Sequence, residues 1–258
     1  MKKRVATHFS RAAETYADAA EVQREVALAC AQGVVPGRCG LAVEIGSGGG
    51  LLTGLLRQRV SWDRYLGLDI APGMVASQLL QGPGETLLVA DGEAVPLRPG
   101  RVDLLVSAST MQWYRDPGRS IPENLALLAP GGAFSLAIFA QGTLAELARV
   151  SAETGFGSFL PMRPAAQYAD IVGGVAGLEF QWRELAVTRC YPTVREALGR
   201  LQRTGATCTG EARGYAPGHW KAFVRRYEEL FGGAQGVRAS YNAVLLWGRR
   251  TGSTATCL

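Results

Sequence analysis

Residues 43–56 read VEIGSGGGLLTGLL. An apolar run closes on Glu44, four glycines follow within five positions (Gly46, Gly48, Gly49, Gly50), and a helical apolar pattern resumes at Leu51. A buried strand that turns through glycines into a helix brings bare backbone up to a ligand at the open edge of a parallel sheet. Glycines on this scale are costly for a plain turn, because each loses more backbone freedom on folding than any other residue. A dinucleotide site would carry G-x-G-x-x-G. Gly46 and Gly48 fit that pattern, but Leu51 stands at its third position. The acid two residues before the first glycine would also repel a pyrophosphate. The spacing therefore favours a ligand with a cationic centre and no phosphate.

Outward from this turn, strand and helix signals alternate. Strands are expected at 41–45, 65–69, 87–91, 102–107 and 133–139, with helices at 50–58, about 70–80 (Pro72 in its first turn) and 119–129, the last stopping at Pro130-Gly131-Gly132. Upstream, Phe9, Ala12, Ala13, Tyr16, Ala20, Val22, Val26 and Ala29 recur at spacings near 3 and 4, so residues 7–32 read as helical. Beyond 140 the rhythm breaks into helices to about 176, a strand at 180–191, helices at 193–204 and 217–231, and a last strand at 240–250. The expected fold is α/β: a Rossmann-like, doubly wound, seven-stranded and mostly parallel sheet, with N-terminal helices and a helical insertion over its carboxyl edge. We expect one domain over 1–250, with 1–35 as a helical cap, about 141–235 partly a substrate lid, and 251–258 a disordered tail.

At 258 residues, 47% hydrophobic and 19% charged, the chain can bury a full core. No apolar run reaches membrane-span length and the basic start lacks an apolar core behind it, so a soluble cytoplasmic protein is expected. Five scattered cysteines (Cys30, Cys39, Cys190, Cys208, Cys257) and two histidines suggest neither a disulfide framework nor a metal site. The net charge of +5 favours an acidic partner, but no aromatic-rich basic segment points to nucleic acid.

Two more acids end strands. Asp69 stands 25 residues after Glu44, where a carboxylate can accept from both hydroxyls of a ribose or cap the helix that follows. Asp91 opens DGEAVPL, as a turn residue or, as in the nucleoside-dependent enzymes this pattern resembles, as a group that reaches an adenine amino group, with the Gly92 N–H free for the ring. Three successive strands each ending in an acid make a nucleoside site more persuasive than any one of them does. A nucleoside carrying a sulfonium and an ammonium is S-adenosylmethionine, and the E-x-G-x-G-x-G turn resembles the first motif of the methyltransferases that use it. Ser107–Trp113 (SASTMQW) follows the fourth strand, where it can pack on the methionine part and face a substrate; Trp113 is equally readable as core.

HFSRAAETYADAAEVQ, LDIAPGM, ADGEAVPL, VDLLVSASTMQW, APGGAFSLAIFAQGTLAEL, SFLP and LQRTGAT together resemble malonyl-[acyl-carrier protein] O-methyltransferases of early biotin synthesis, over about residues 8–250. The chain departs from that pattern at Ser47, Gly49 and Ser158, the last where family members often carry arginine. The resemblance implies S-adenosylmethionine held by Tyr16 and Gln23, by Glu44, Gly46, Ser47 and Gly48, by Asp69, Ile70 and Met74, by Asp91, Gly92 and Glu93, and by Ser107 and Gln112. It implies an acidic carrier protein as partner, with no nucleic acid or membrane partner.

The implied acceptor, a malonyl carboxylate, is ionised at neutral pH, its pKa being about 4. No general base is required. Catalysis would rest on placement and on excluding water from two charges that cancel in the transition state. One cation should anchor the carboxylate. Arg11 is the first candidate for a group near the reacting centre, with Tyr16 beside the sulfonium. Arg163, Arg203 and His219 are further pocket candidates, Trp113 a substrate contact, and Thr143 and Glu146 helix supports. Arg195, Arg200, Arg203, Arg213, Lys221, Arg225 and Arg226 offer a steering surface for the carrier. Two other readings fit the fold: methylation of a small phenol or quinone, which would need a base, and a non-catalytic module that binds a partner.

Overall fold

The computed structural model describes residues 2–157, 159–206 and 217–252. Ser158, Arg213, Cys208, Cys257 and residues 253–258 of the expected tail lie outside the described residues. In chain order the elements are α1 (Lys2–Ala19), α2 (Glu21–Gln32), β1 (Gly37–Ile45), α3 (Leu51–Leu56), β2 (Val60–Asp69), α4 (Pro72–Ser77), β3 (Glu85–Val89), β4 (Val102–Ala108), α5 (Pro117–Leu125), β5 (Leu128–Phe139), α6 (Ala145–Thr154), α7 (Ala165–Gly173), β6 (Leu178–Tyr191), α8 (Val194–Arg203), α9 (Pro217–Phe231), the two-residue β7 (Gly232–Gly233) and β8 (Gly236–Arg250).

The strands lie in the order β3-β2-β1-β4-β5-β8-β6, with β7 paired to β8 off that path. The first five strands are mutually parallel, and β8 runs antiparallel between β5 and β6. The expected doubly wound, mostly parallel sheet is therefore the observed one. Chain order reverses between β1 and β4, and the carboxyl ends of those strands open the crevice in which such sheets hold ligands.

Both faces of the sheet are covered, which explains why β1, β4 and β5 read as near-continuous apolar runs. Ala42, Leu104, Val106, Ala137 and Leu245 pack on one face beneath α2, α3 and α6. Val43, Leu105, Phe134, Leu136 and Leu246 pack on the other beneath α5 and α7. Small residues let α2 approach closely: Ala27, Cys30 and Ala31 are buried, and the Cys30 sulfur lies 3.4 Å from the Ser135 carbonyl oxygen of β5. Among the described residues, no helix is long and apolar enough to cross a membrane.

Two local expectations are refined by the structure. The helical stretch read over 7–32 begins at Lys2 and divides in two, because the buried Ala20 leaves helical geometry (φ −89°, ψ 42°), so that α1 packs on α4 and α8 while α2 packs on the sheet face. The helix expected to 129 ends at Leu125. Pro130-Gly131-Gly132 lies inside β5, where the register jumps from Val102↔Leu128 to Leu104↔Ala133, so the segment forms a bulge that returns to the ladder. Residues 141–235 hold α6 to α9 and the sheet strand β6, which begins two residues before the expected strand at 180–191 and ends with it.

Candidate active site

The glycine turn is built against its neighbours. Gly46 and Ser47 both donate their N–H to the Leu68 carbonyl, at 2.7 and 2.9 Å, which docks the turn onto the end of β2. Gly46 has φ +74°, and a Cβ there would stand 2.0 Å from Thr110 Oγ1. Gly48 has φ +53°, but a Cβ there would meet nothing within 4 Å. Contact inside the protein explains the first glycine. Open space in front of the second is what a ligand approaching bare backbone requires.

Gly46 and Gly48 line a cavity with Asp69, Ile70, Met74, Asp91, Gly92, Glu93, Trp113 and, from α1, Lys2, Phe9 and Tyr16. The Asp69 carboxylate accepts from the Gly48 N–H at 2.9 Å and the Ala71 N–H at 2.8 Å. Burial raises its pKa above the usual aspartate value, and these backbone bonds restrain the rise. It thus fixes the turn that precedes α4, whose N-cap Ala71 takes no side-chain cap bond, and it also lines the cavity. Lys2 was not singled out by sequence. Its ammonium lies 2.5 Å from Asp91 Oδ2 and 2.6 Å from Glu93 Oε2. Burial alone would raise the Glu93 pKa, but Lys2 and backbone donors hold it below the normal value. Gly92 is fixed from behind: its carbonyl accepts from the Tyr114 hydroxyl at 2.9 Å and the Asn124 amide at 3.0 Å.

Several expected cofactor residues lie elsewhere. Glu44 does not line the cavity; its carboxylate points into the core, accepting from Thr53 Oγ1 and the Tyr65 hydroxyl, each at 2.8 Å. Burial pushes its pKa up to about 7. Its repulsion of a pyrophosphate is therefore not the reason for the motif; it ties β1 to α3 and β2. Ser47 is buried with its hydroxyl unpartnered among the described residues, and Ser107 donates to the Ile45 carbonyl at 2.8 Å. Neither lines the cavity.

A second, larger cavity (≈ 170 Å³ against ≈ 90 Å³) adjoins the first. Phe9, Tyr16, Ser109 and Trp113 line both and form the divide. Phe9 packs edge-on against Trp113, ring centres 5.8 Å apart. The outer walls of the second cavity come from α2 (Gln23), α6 (Leu147), α8 (Leu198, Leu201), α9 (Phe223) and β8 (Tyr241). Gln23 and Gln112, expected beside the cofactor, face this cavity. Among the described residues, the two non-glycines with positive φ are Ser109 (+56°) and Leu144 (+54°), and both line it. Left-handed backbone at such residues costs about 1–3 kcal/mol each and collects at functional sites.

The expected cationic anchors are absent from this cavity. Arg11 and Arg203 flank a separate shallow groove on the α1–α8 seam, and Arg163 lines neither cavity. His219 is exposed. Thr143 Oγ1 donates to the Asn242 carbonyl and Glu146 accepts from Ser240, so both support the α6–β8 packing. Three members of the basic surface are ion-paired, Arg200 with Glu21, Arg226 with Glu153 and Glu229, and Arg225 with Glu229, while Arg195 lies over the Trp220 ring.

S-adenosylmethionine suits the first cavity on its own features: acids at the end of β2 and in the turn after β3, open space at Gly48, and a Tyr16 hydroxyl with no hydrogen-bond partner among the described residues. A "Methyltransferase domain" family model matches residues 43–136. The malonyl-[acyl-carrier protein] O-methyltransferase of Geobacter sulfurreducens is 32% identical, covering 96% of this chain and 99% of its own length. That of Methylococcus capsulatus is 30% identical, covering 94% and 90%. Among solved structures, the YcgJ protein of Bacillus subtilis superposes with a TM-score of 0.61 at 14% identity, over 88% of this chain and 97% of its own. A geranyl diphosphate methyltransferase in complex with S-adenosylmethionine superposes with a TM-score of 0.51 at 16% identity, over 89% and 85%. Likeness at these identities speaks to the fold.

Proposed function

The chain belongs to the malonyl-[acyl-carrier protein] O-methyltransferase family, and from that premise we propose how it esterifies the free carboxylate of a malonyl thioester on a carrier protein, an early step of biotin synthesis. The observation that carries the reading is the pair of adjoining cavities: one edged by acids, the other lined among the described residues by no charged side chain, with Phe9, Tyr16, Ser109 and Trp113 between them.

When bound, S-adenosylmethionine supplies an electrophilic methyl group on a sulfonium. The first cavity is its place. The Asp69 carboxylate accepts the ribose hydroxyls, and Asp91, sharing its charge with Lys2, accepts from the adenine amino group. The Gly46–Gly48 backbone abuts the methionine portion. Tyr16 stands at the divide, and burial keeps its hydroxyl protonated far above neutral pH. The second cavity receives the malonyl end of the substrate. Its walls exclude water, which favours a reaction whose opposite charges vanish as it proceeds. Methylation of a phenol would require a base, and no carboxylate, histidine or lysine lines that cavity among the described residues.

We read residues 1–250 as one catalytic domain, α1 and α2 capping the site and α6, α8 and α9 walling the substrate chamber. The enzyme on this reading is cytoplasmic and meets an acidic carrier protein. Incubation with labelled S-adenosylmethionine and, separately, malonyl-carrier protein, malonyl-coenzyme A and acetyl-carrier protein tests it. Label should pass to malonyl species only; transfer to acetyl-carrier protein, or to none while S-adenosylmethionine still binds, would refute it.

A further inference from the structure

We propose that the Gln23 amide, with the Tyr16 hydroxyl, holds the methyl-accepting carboxylate through neutral donors, in a cavity whose described lining carries no cation. The proposal rests on the esterification reading above.

The second cavity offers few groups able to take this part. Thr143 is engaged both ways with the Asn242 backbone, donating at 2.8 Å and accepting at 3.0 Å. The Gln112 amide nitrogen donates to the Ser109 carbonyl at 2.7 Å. Gln112 Oε1, Trp113 Nε1 and Ser109 Oγ are sealed below the cavity surface. Tyr241 is spoken for by the Tyr191 hydroxyl at 3.5 Å. Gln23 and Tyr16 remain: both line the cavity, and neither has a side-chain hydrogen-bond partner among the described residues. Tyr16 also borders the cofactor cavity, so an anion held between the two lies at the divide.

The chemistry favours neutral donors. A carboxylate oxygen forms the new O–CH₃ bond while the S–CH₃ bond breaks and its electron pair stays on sulfur. One negative and one positive charge disappear, and no proton moves. A bidentate guanidinium would occupy the oxygen lone pairs and bind the charged acceptor far better than the nearly neutral transition state. Neutral amide and phenol donors orient the oxygen with a smaller penalty of this kind. Because the acceptor loses charge on the way to the transition state, a donor to it contributes more to substrate binding than to the chemical step.

That asymmetry gives the test. Gln23→Met keeps side-chain length and removes the donor. Hydrogen bonds to charged groups are worth enough to predict a rise of about 10- to 100-fold in both the Kd of malonyl-carrier protein, titrated calorimetrically into the S-adenosylhomocysteine-loaded enzyme, and its KM. The kcat should stay within about threefold or rise, and S-adenosylhomocysteine affinity should stay within about twofold, which also reports an intact fold. Gln23→Glu, a like charge facing the anion, should abolish malonyl-carrier binding with the same cofactor affinity. Unchanged malonyl-carrier affinity in Gln23→Met overturns the proposal. So does a loss of S-adenosylhomocysteine affinity, which would return Gln23 to the cofactor, and so does a comparable loss of malonyl-carrier affinity in Arg163→Ala or Arg213→Ala. Wild-type enzyme that binds malonyl-carrier protein without methylating it would strike the esterification reading alone.

Discussion

Replacing Glu44 by glutamine separates a structural acid from a ligand-binding one. The carboxyl is buried and its pKa is raised to about 7 from a reference near 4.5, with desolvation as the principal cause. The folded protein therefore keeps a proton on Glu44 over a pH range in which the unfolded chain has released it. Stability attributable to this residue is highest below pH 4.5, falls as pH rises from there to about 7, and is level above that. A difference of about 2.5 pKa units corresponds to roughly 3 kcal/mol in full, of which roughly 2–3 kcal/mol falls between pH 5 and pH 8. Glutamine has nearly the same shape, can accept from Thr53 and Tyr65, and does not titrate. Urea unfolding of wild type and Glu44→Gln at pH 5, 6, 7 and 8, without cofactor, should show the variant gaining on the wild type by that amount as pH rises. Taking the difference between the two proteins cancels every other titrating group and any constant cost of the amide. S-adenosylhomocysteine affinity should change by less than about threefold. A flat stability difference across pH would refute the account of Glu44 as a desolvated core acid, and a tenfold loss of affinity would return it to the cofactor site.

The two central glycines should fail differently. Gly46→Ala drives a methyl into Thr110 in left-handed backbone and should cost more than about 2 kcal/mol of unfolding free energy, read by urea titration. Gly48→Ala meets no protein atom, so its cost should be limited to the left-handed strain of about 1–2 kcal/mol, while calorimetry should show S-adenosylhomocysteine affinity falling at least tenfold. Equal affinity in wild type and Gly48→Ala would mean the cofactor does not approach that backbone. Asp69→Asn keeps the shape but weakens the acceptor, and should lower S-adenosylhomocysteine affinity by about 10-fold, consistent with a charge-assisted hydrogen bond; unchanged affinity would remove Asp69 from the ribose.

What was legible in the sequence was whatever backbone geometry writes into it. Strands buried on both faces leave apolar runs, a strand-to-helix turn leaves glycines, and acids recur at strand ends, so the sheet and the positions of Asp69 and Asp91 could be read directly. Side-chain direction was less accessible. Glu44 lies one residue from a cavity-lining position, and strand alternation turns it toward Thr53 and Tyr65. The split at Ala20 carries no glycine or proline to announce it. Lys2 is a terminal lysine whose partners lie 89 and 91 residues further on, a pairing no local pattern encodes. The arginines misled because anion chemistry suggested a cation, whereas Arg11 and Arg203 are exposed by the face of α1 and the end of α8 on which they fall.

A second cavity whose described lining carries no cation suits the reaction. An enzyme that stabilises developing charge benefits from strong dipoles and ions aimed at the reacting centre. Carboxylate methylation destroys charge, so a strong local cation would deepen the well from which the acceptor must climb. Three demands remain: water must be kept out, the acceptor must be aimed, and the cationic donor must be held by distant contacts. The division of labour in this fold answers each. On the proposed reading, acids at the ends of β2 and β3 hold the nucleoside side, and apolar walls from α6, α8 and α9 cover the acceptor side. The aiming groups proposed here, Tyr16 at the divide and Gln23 beyond it, come from the N-terminal helices. On this logic α1 and α2 are part of the catalytic apparatus and not an accessory cap, because without them the acceptor cavity loses Phe9, Tyr16 and Gln23 and opens to solvent along one side.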